Sequence, residues 1–263
     1  INALQNREPE PEQVIENGLF RHYQFHSEIF GTNRNELITR LYTINADARE
    51  FLLKSRFLII TLGTAYVYRL KGSGVTVANC HKMPADLFQK QMLSPDEILH
   101  GFKDFYHQLY IDNSNLRIIL TISPVRHIKD GFEMNAVSKS VLRTAAWKIT
   151  EEYPDIISYF PSYEIMMDDL RDYRFYREDM IHPSVLAEDY IWKAFGNTFF
   201  SKETIALNKE VGAIQTAIAH RPLAGSSEEY RIFLQETYRK ALKLHDKVSV
   251  KSLLEKVALK LGL

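Results

Sequence analysis

The sequence has no charge imbalance, almost no cysteine and no long apolar run. Its 33 basic and 33 acidic residues leave a net charge of zero, so no global field favours nucleic acid or an acidic membrane. A single cysteine, Cys80, excludes an internal disulfide framework and a cysteine-rich zinc module. No run of about 18 apolar residues occurs, so no segment is expected to span a membrane. We therefore expect neither nucleic acid nor membrane among the partners.

The chain is long and apolar enough to bury a sizeable core. It has 263 residues, of which 45% are hydrophobic, and this predicts one large domain or one domain with an appendage. The chain begins at Ile1, without a methionine and without a basic-then-apolar signal pattern, so we expect that a segment preceded it. The sequence indicates no compartment.

Three short apolar runs predict buried parallel strands, because they are rich in Ile, Leu, Phe and Tyr and too short for helices. They are FLIITL (57–62), RIILTI (117–122) and DIISYF (155–160). A helical pattern precedes each run, at residues 36–54, 94–110 and 135–153. The second opens with a capping box of Ser94 and Glu97 around Pro95, and the third places Val137, Val141, Leu142, Ala145 and Ile149 on one face. Helices alternating with buried strands predict an α/β fold with a doubly wound parallel sheet.

Two regions depart from this alternation. Short β-like runs on either side of Gly72 to Gly74 predict a hairpin. Beyond residue 200 the strand signal disappears. One apolar helical face is formed by Leu207, Val211, Ile214 and Ile218, and Pro222 and Gly225 end this helix. Ser226 and Glu229 then form a second capping box, which begins another helix. We predict an α/β domain over residues 1–200 and a helical extension over residues 201–263, which fits a lid or a homodimer surface.

Polar residues capable of chemistry follow the predicted strands. Ligands of open parallel sheets bind beyond the carboxyl ends of the strands, so these positions are candidates for a site. They are Gly63 and Thr64 after the first strand, Ser123, Pro124, Arg126 and His127 after the second, and residues 161–164 after the third. The sequence therefore predicts a site along one edge of the sheet.

The segment REDMIHPSVL (177–186) places an aspartate three residues before a histidine, just ahead of an amphipathic helix. Asp179 can accept the Nδ1 proton of His182, which leaves Nε2 free to act as a general base. Pro183 would stiffen the turn at a first helical position. In the alternative interpretation, Asp179 is a helix-capping group and His182 a buried histidine with its hydrogen bonds satisfied.

A D-x-x-H pair in this position resembles the catalytic aspartate and histidine of the SGNH (GDSL-like) hydrolases. Further segments resemble one branch, the GSCFA domain family, and cover roughly residues 20–225: TLGTAYVY (61–68), NCHK (79–82), SPVRHIKDG (123–131), YFPSYEIMMDDLRDYRFYREDMIHP (159–183) and HRP (220–222). The resemblance implies a three-layer α/β fold with flavodoxin-like strand order. It also implies a serine nucleophile from the Gly-Ser-Cys-Phe-Ala motif that names the family.

The chain departs from this pattern because it contains no Gly-Ser-Cys-Phe-Ala segment. The motif belongs near the N-terminus of family members, so we expect that the first strand and its serine lie upstream and that the chain alone is inactive. Ser123 is the best-placed internal substitute, although it lacks the G-x-S-x-G elbow. Cys80 beside His81 is interpreted as a small buried hydrophobe rather than a nucleophile. His26 and Ser27 are of interest only through the resemblance, and without it they are interpreted as ordinary loop residues.

The resemblance also implies donors for an oxyanion. Gly63 fits the glycine role, and its alternative role is to allow a tight turn. Asn79 fits the side-chain donor role, although a turn role is favoured for it, and Thr64 is a weaker substitute. The G-x-N-D pattern of the superfamily is not met by GTAY (63–66).

The substrate side of the predicted site contains Arg126, Ser123 and His127. The Arg126 guanidinium fits a carboxylate or phosphate, and its alternative is an ion pair with an acidic residue of MMDDLRD (166–172). Three histidines on separate loops, His81, His127 and His182, do not predict a metal site, and no cofactor is expected.

Two functions follow as expectations. The first is an SGNH-type serine esterase or acyltransferase acting on a small ester or an acylated glycan. The second is a non-catalytic module of the same fold that binds a glycan or an anion through Arg126 and the neighbouring aromatic residues.

Overall fold

A parallel sheet of three strands forms the centre of the N-terminal part of the chain. The computed structural model describes residues 13–220 and 228–262. Its strands are β1 (Val14–Glu16), β2 (Phe20–His22), β3 (Phe57–Leu62), β4 (Tyr66–Leu70), β5 (Thr76–Val77), β6 (Phe88–Met92), β7 (Arg117–Ile122) and β8 (Ile157–Phe160). Its helices are α1 (Arg34–Lys54), α2 (Pro95–Asp112), α3 (Gly131–Glu152), α4 (Ser162–Glu164), α5 (Val185–Phe199), α6 (Lys202–Ala219), α7 (Glu228–Lys243) and α8 (Lys251–Leu261).

The parallel sheet has the order β3, β7, β8. Leu62 pairs with Ile122 at the carboxyl ends of the first two strands, and Thr121 pairs with Phe160 on the third. The predicted runs at 57–62 and 117–122 coincide with β3 and β7, and β8 begins two residues later than predicted. The predicted α/β class is confirmed.

Alternate strand residues face α2 and α3 in one apolar core. Ile118 and Leu120 are buried between the two helices, together with Leu109 of α2 and Ile149 of α3. Each such side chain contributes about 1.5–3 kcal/mol when it leaves water. On the opposite face Ile119 is buried, whereas Phe57 and Ile59 of the edge strand β3 are exposed.

The helix boundaries follow local sequence chemistry. In α2, the amide of Glu97 donates to the Ser94 hydroxyl over 3.2 Å, and the amide of Ser94 donates to the Glu97 carboxylate over 2.7 Å, so the predicted capping box is confirmed. Of the α3 residues predicted to share one face, Leu142, Ala145 and Ile149 are buried, whereas Val137 is 42% exposed.

A second sheet, of order β5, β4, β6, is antiparallel. Tyr68 pairs with Val77 across the predicted hairpin, whose turn uses a positive φ of 71° at Gly74. The antiparallel pairing of β4 with β5 confirms the hairpin, and glycine adopts the backbone conformation of its turn without strain. The strands β1, β2 and β6 were not predicted, because each is short and carries charged or amide side chains.

Residue contacts divide the chain into one unit that extends to Ile191 and a second unit from Trp192 to Leu263. In the second unit α6, α7 and α8 bury Ile214, Leu234 and Val257 around a core of their own. The predicted domain division at residue 200 stays a prediction. Pro222, Gly225 and Ser226 lie outside the described residues. In the ranges described, no helix is long and apolar enough to cross a membrane.

Candidate functional site

The carboxyl ends of β3 and β7 lie side by side and are held together by one lysine. The amide of Ser123 donates to the carbonyl of Leu62 over 2.9 Å. From α3, the Lys139 ammonium donates to the carbonyls of Gly63 and Ser123, each over 2.7 Å. The two residues that immediately follow these strands therefore share one buried donor.

Lys139 is a buried cation that sequence reasoning missed. Its side chain is 2% exposed, and desolvation lowers its pKa to about 8. No carboxylate in the described ranges forms an ion pair with it. A signal was present in the sequence, because Lys139 stands three residues before Leu142 and seven before Ala146, on the buried side of the helix.

Asp179 and His182 form a hydrogen-bonded pair on the loop before α5. The Nδ1 atom of His182 lies 2.6 Å from Oδ2 of Asp179, while Oδ1 accepts the amides of Ile181 and His182 over 2.9 and 3.0 Å. The His182 amide, the His182 ring and the Ile181 amide together lower the pKa of Asp179. The carboxylate therefore stays ionised and orients the imidazole through Nδ1, so Nε2 is the ring nitrogen turned away from Asp179.

This loop is attached to the end of β7 through Arg126. The Arg126 amide donates to the carbonyl of Ile181 over 3.2 Å, and its Nη1 donates to the carbonyl of Met180 over 3.0 Å. The guanidinium carbon lies 3.9 Å from the ring centre of Tyr176. His182 is thereby held beside the strand ends, although it is far from them in sequence.

A cavity of about 390 Å³ brings four of the predicted site residues together. Thr64, Arg126, His127 and His182 line it, with Tyr66, Tyr68, Lys90, Val125, Ile128, Lys129, Asp130 and Ile181. The His182 side chain is 50% exposed, so its ring is accessible from this cavity. Partial desolvation, together with Lys139 and His182, lowers the pKa of His127, which favours a neutral second imidazole at the site.

Thr64 lines this cavity, whereas Gly63, the residue before it, does not, and both are in constrained positions. A Cβ atom on Gly63 would lie 3.3 Å from Nε2 of His127, so a side chain there would crowd the imidazole. The Thr64 and Ser138 hydroxyls lie 3.1 Å apart, and the Thr64 hydroxyl also accepts the Tyr66 amide over 3.2 Å. The Thr64 side chain is therefore already engaged in holding the turn.

Asn79 and Ser123 do not line the cavity that holds His182. Asn79 lines a neighbouring cavity of about 370 Å³, and its side-chain oxygen accepts the His81 amide over 2.7 Å. This contact matches the turn role that the sequence favoured. The Ser123 hydroxyl accepts the Val125 amide over 3.2 Å, which holds the turn after β7. The oxyanion and substrate roles of these two residues stay predictions.

Sequence reasoning also missed a serine–histidine contact. The His81 ring donates from Nε2 to the carbonyl of His22 over 2.9 Å, so Nδ1 accepts the Ser27 hydroxyl over 3.2 Å. His81 is buried, its φ of 51° is left-handed, and desolvation lowers its pKa. Ser27 lines neither of the two cavities described above. The contact joins the loop after β2 to the segment after β5.

The described ranges 13–220 and 228–262 contain no group of three or more His, Cys, Asp and Glu side chains able to hold a metal ion. His81, His127 and His182 accordingly do not converge: the first bonds to the β2 carbonyl, whereas the other two line the cavity.

Comparison of the chain with protein-family models finds two matches. The GSCFA family matches residues 2–195, and the C-terminal domain of GSCFA domain proteins matches residues 211–261. No match is found among the curated proteins or the solved structures. Because the first model alone covers well over half of the 263 residues, the chain belongs to the GSCFA family.

Proposed function

We propose that this chain carries the acid–base part of an SGNH-type serine esterase or acyltransferase that acts on a small ester or an acylated glycan. The observation that supports the proposal most directly is the 2.6 Å contact between Asp179 and His182 at the cavity. It leaves Nε2 of His182 as the free base, which is the arrangement that nucleophilic serine chemistry needs.

The proposed nucleophile is the serine of the Gly-Ser-Cys-Phe-Ala motif, which the chain does not contain. Its hydroxyl proton moves to Nε2 of His182 while its oxygen bonds to the ester carbonyl carbon. When the tetrahedral intermediate collapses, the bond to the alcohol oxygen breaks and that oxygen takes the proton from His182. Water or an acceptor hydroxyl then releases the acyl group by the same steps in reverse.

The proposal assigns the developing oxyanion to the backbone amide of Gly63, because this residue follows β3 next to the His127 imidazole. The Leu62 carbonyl of the same peptide accepts the Ser123 amide over 2.9 Å, and Lys139 holds the Gly63 carbonyl on the other side, so the Gly63 amide is fixed in orientation. Thr64 is less suited to the task, because its hydroxyl lies 3.1 Å from the Ser138 hydroxyl, which can take its single proton.

The test is hydrolysis of p-nitrophenyl acetate by the chain extended at its N-terminus with a Gly-Ser-Cys-Phe-Ala segment from a family member. We expect turnover by the extended chain and none by the chain as given. His182→Ala and Asp179→Asn should each reduce turnover by about 10²- to 10⁴-fold, the usual contribution of a positioned base.

His100→Ala is the matched control. His100 also faces a carboxylate, at 3.8 Å from Asp104, but it stands on α2 and outside the cavity lining. Its loss should leave turnover unchanged. Equal activity in the extended chain and its His182→Ala variant would remove His182 from the mechanism, and turnover by the chain as given would reject the upstream nucleophile.

A further inference from the structure

The cavity beside His182 carries an excess of positive charge. Arg126, Lys129 and Lys90 line it, against one carboxylate, Asp130. Lys90 is hydrogen-bonded to Asp130, so that pair is neutral overall. Neither Arg126 nor Lys129 forms an ion pair with a carboxylate in the described ranges. Among the described residues these two cations therefore have no carboxylate in ion-pair contact, and they line a cavity of ligand size.

Arg126 is positioned by a backbone carbonyl and an aromatic ring, and it forms no ion pair with a carboxylate of the described residues. Its Nη1 atom is bonded to a main-chain carbonyl, and its guanidinium lies against the Tyr176 ring. The acidic residues that the sequence offered as partners are engaged elsewhere: Asp168 with Arg171, Asp169 with Tyr190 and Asp172 with Arg174. A guanidinium fixed in this way keeps further N–H donors in a planar fork that matches a carboxylate or phosphate.

We infer that the ligand of this cavity carries a carboxylate or phosphate group, which Arg126 binds directly and Lys129 attracts through its charge. The inference rests on the proposed function in that the anionic group belongs to the ester substrate. Because Arg126 and His182 line the same cavity, an anion on Arg126 places the remainder of a small ester next to the imidazole. The preferred substrate is therefore an anionic ester, and the neutral p-nitrophenyl acetate reports only the acyl-transfer chemistry.

The test measures anion binding by the chain as given, so it does not depend on turnover. Inorganic phosphate and, separately, acetate are titrated at constant ionic strength, and the ring resonances of His127 and His182 are followed by NMR. We expect saturable shifts with one of the two anions. Arg126→Gln should weaken binding about tenfold or more, the effect of losing a charge-assisted hydrogen bond, and Lys129→Gln should weaken it less.

Arg171→Gln is the matched control, because Arg171 is an exposed arginine that pairs with Asp168 and does not line the cavity. It should leave the affinity unchanged. Since Arg126 also holds the His182 loop, a thermal melt of Arg126→Gln checks folding, and the exposed Lys129 supplies a second variant without that role.

Saturation by phosphate alone assigns a phosphate-bearing ester, and saturation by acetate alone assigns a carboxylate-bearing one. The inference is overturned if neither anion acts more strongly than chloride, or if folded Arg126→Gln and Lys129→Gln bind as the unchanged chain does. Turnover by the extended chain without anion binding would remove only the anion site. Anion binding without turnover would remove only the hydrolase.

Discussion

The burial of Lys139 predicts that the stability of the protein rises with pH in the mildly alkaline range. Its ammonium is enclosed behind the strand ends with two carbonyl acceptors and no carboxylate partner in the described ranges. Burial therefore disfavours the charged form, and folding lowers the pKa from 10.5 to about 8. The unfavourable contribution is fully present below pH 8 and is relieved as the pH rises towards 10.5.

The magnitude follows from the two pKa values. A tenfold change in proton affinity is worth about 1.4 kcal/mol, so the full effect of this lysine is about 3.4 kcal/mol. Between pH 7 and pH 9.5 the wild-type chain should gain about 2 kcal/mol of unfolding free energy from this group, because part of the effect is realised only above pH 9.5. The neutral amine still donates to both carbonyls, so the contacts themselves persist.

The assay is urea unfolding of the wild-type chain and of Lys139→Met at pH 7, 8, 9 and 9.5. Lys139 also lowers the pKa of His127, but that imidazole titrates below this pH range, so from pH 7 to 9.5 the difference in unfolding free energy isolates Lys139 and should move by about 2 kcal/mol in favour of the wild type. Lys71→Met, at an exposed turn of the same unit, shows what the loss of a solvent-exposed lysine does. A difference for Lys139→Met that stays constant over this range would refute the reasoning.

Two further predictions concern the loops around the site. Ser27→Ala should lower the unfolding free energy by about 1 kcal/mol through the lost contact with His81. It should leave ester turnover of the extended chain unchanged, and loss of turnover in the folded variant would contradict the purely structural role of Ser27. Met180 has a left-handed φ of 59°, which glycine adopts without strain. Met180→Gly should therefore raise the melting temperature and add up to about 1 kcal/mol to the unfolding free energy. A lower melting temperature would show that the packing of the Met180 side chain outweighs the backbone strain.

Local chemistry explains which parts of the fold were predictable. The apolar runs of β3 and β7 were recognised to the residue, since both faces of a parallel sheet favour continuous Ile and Leu. The Ser94 capping box depends on residues three apart, so the sequence alone contains it. The polar strand β6 was missed, because its pairing with β4 comes from tertiary contacts and not from its own pattern.

The same distinction applies to the candidate site. Asp179 and His182 are three residues apart, so a turn alone brings them together, and the sequence by itself determined that pair. Lys139 and Gly63 are 76 residues apart, and Ser27 and His81 are 54 apart. These contacts, and the meeting of Arg126 with the His182 loop, exist only because the chain folds strand beside strand. The tertiary structure therefore decided where the cations and second imidazole lie, since such long-range contacts leave no periodic signal in the sequence.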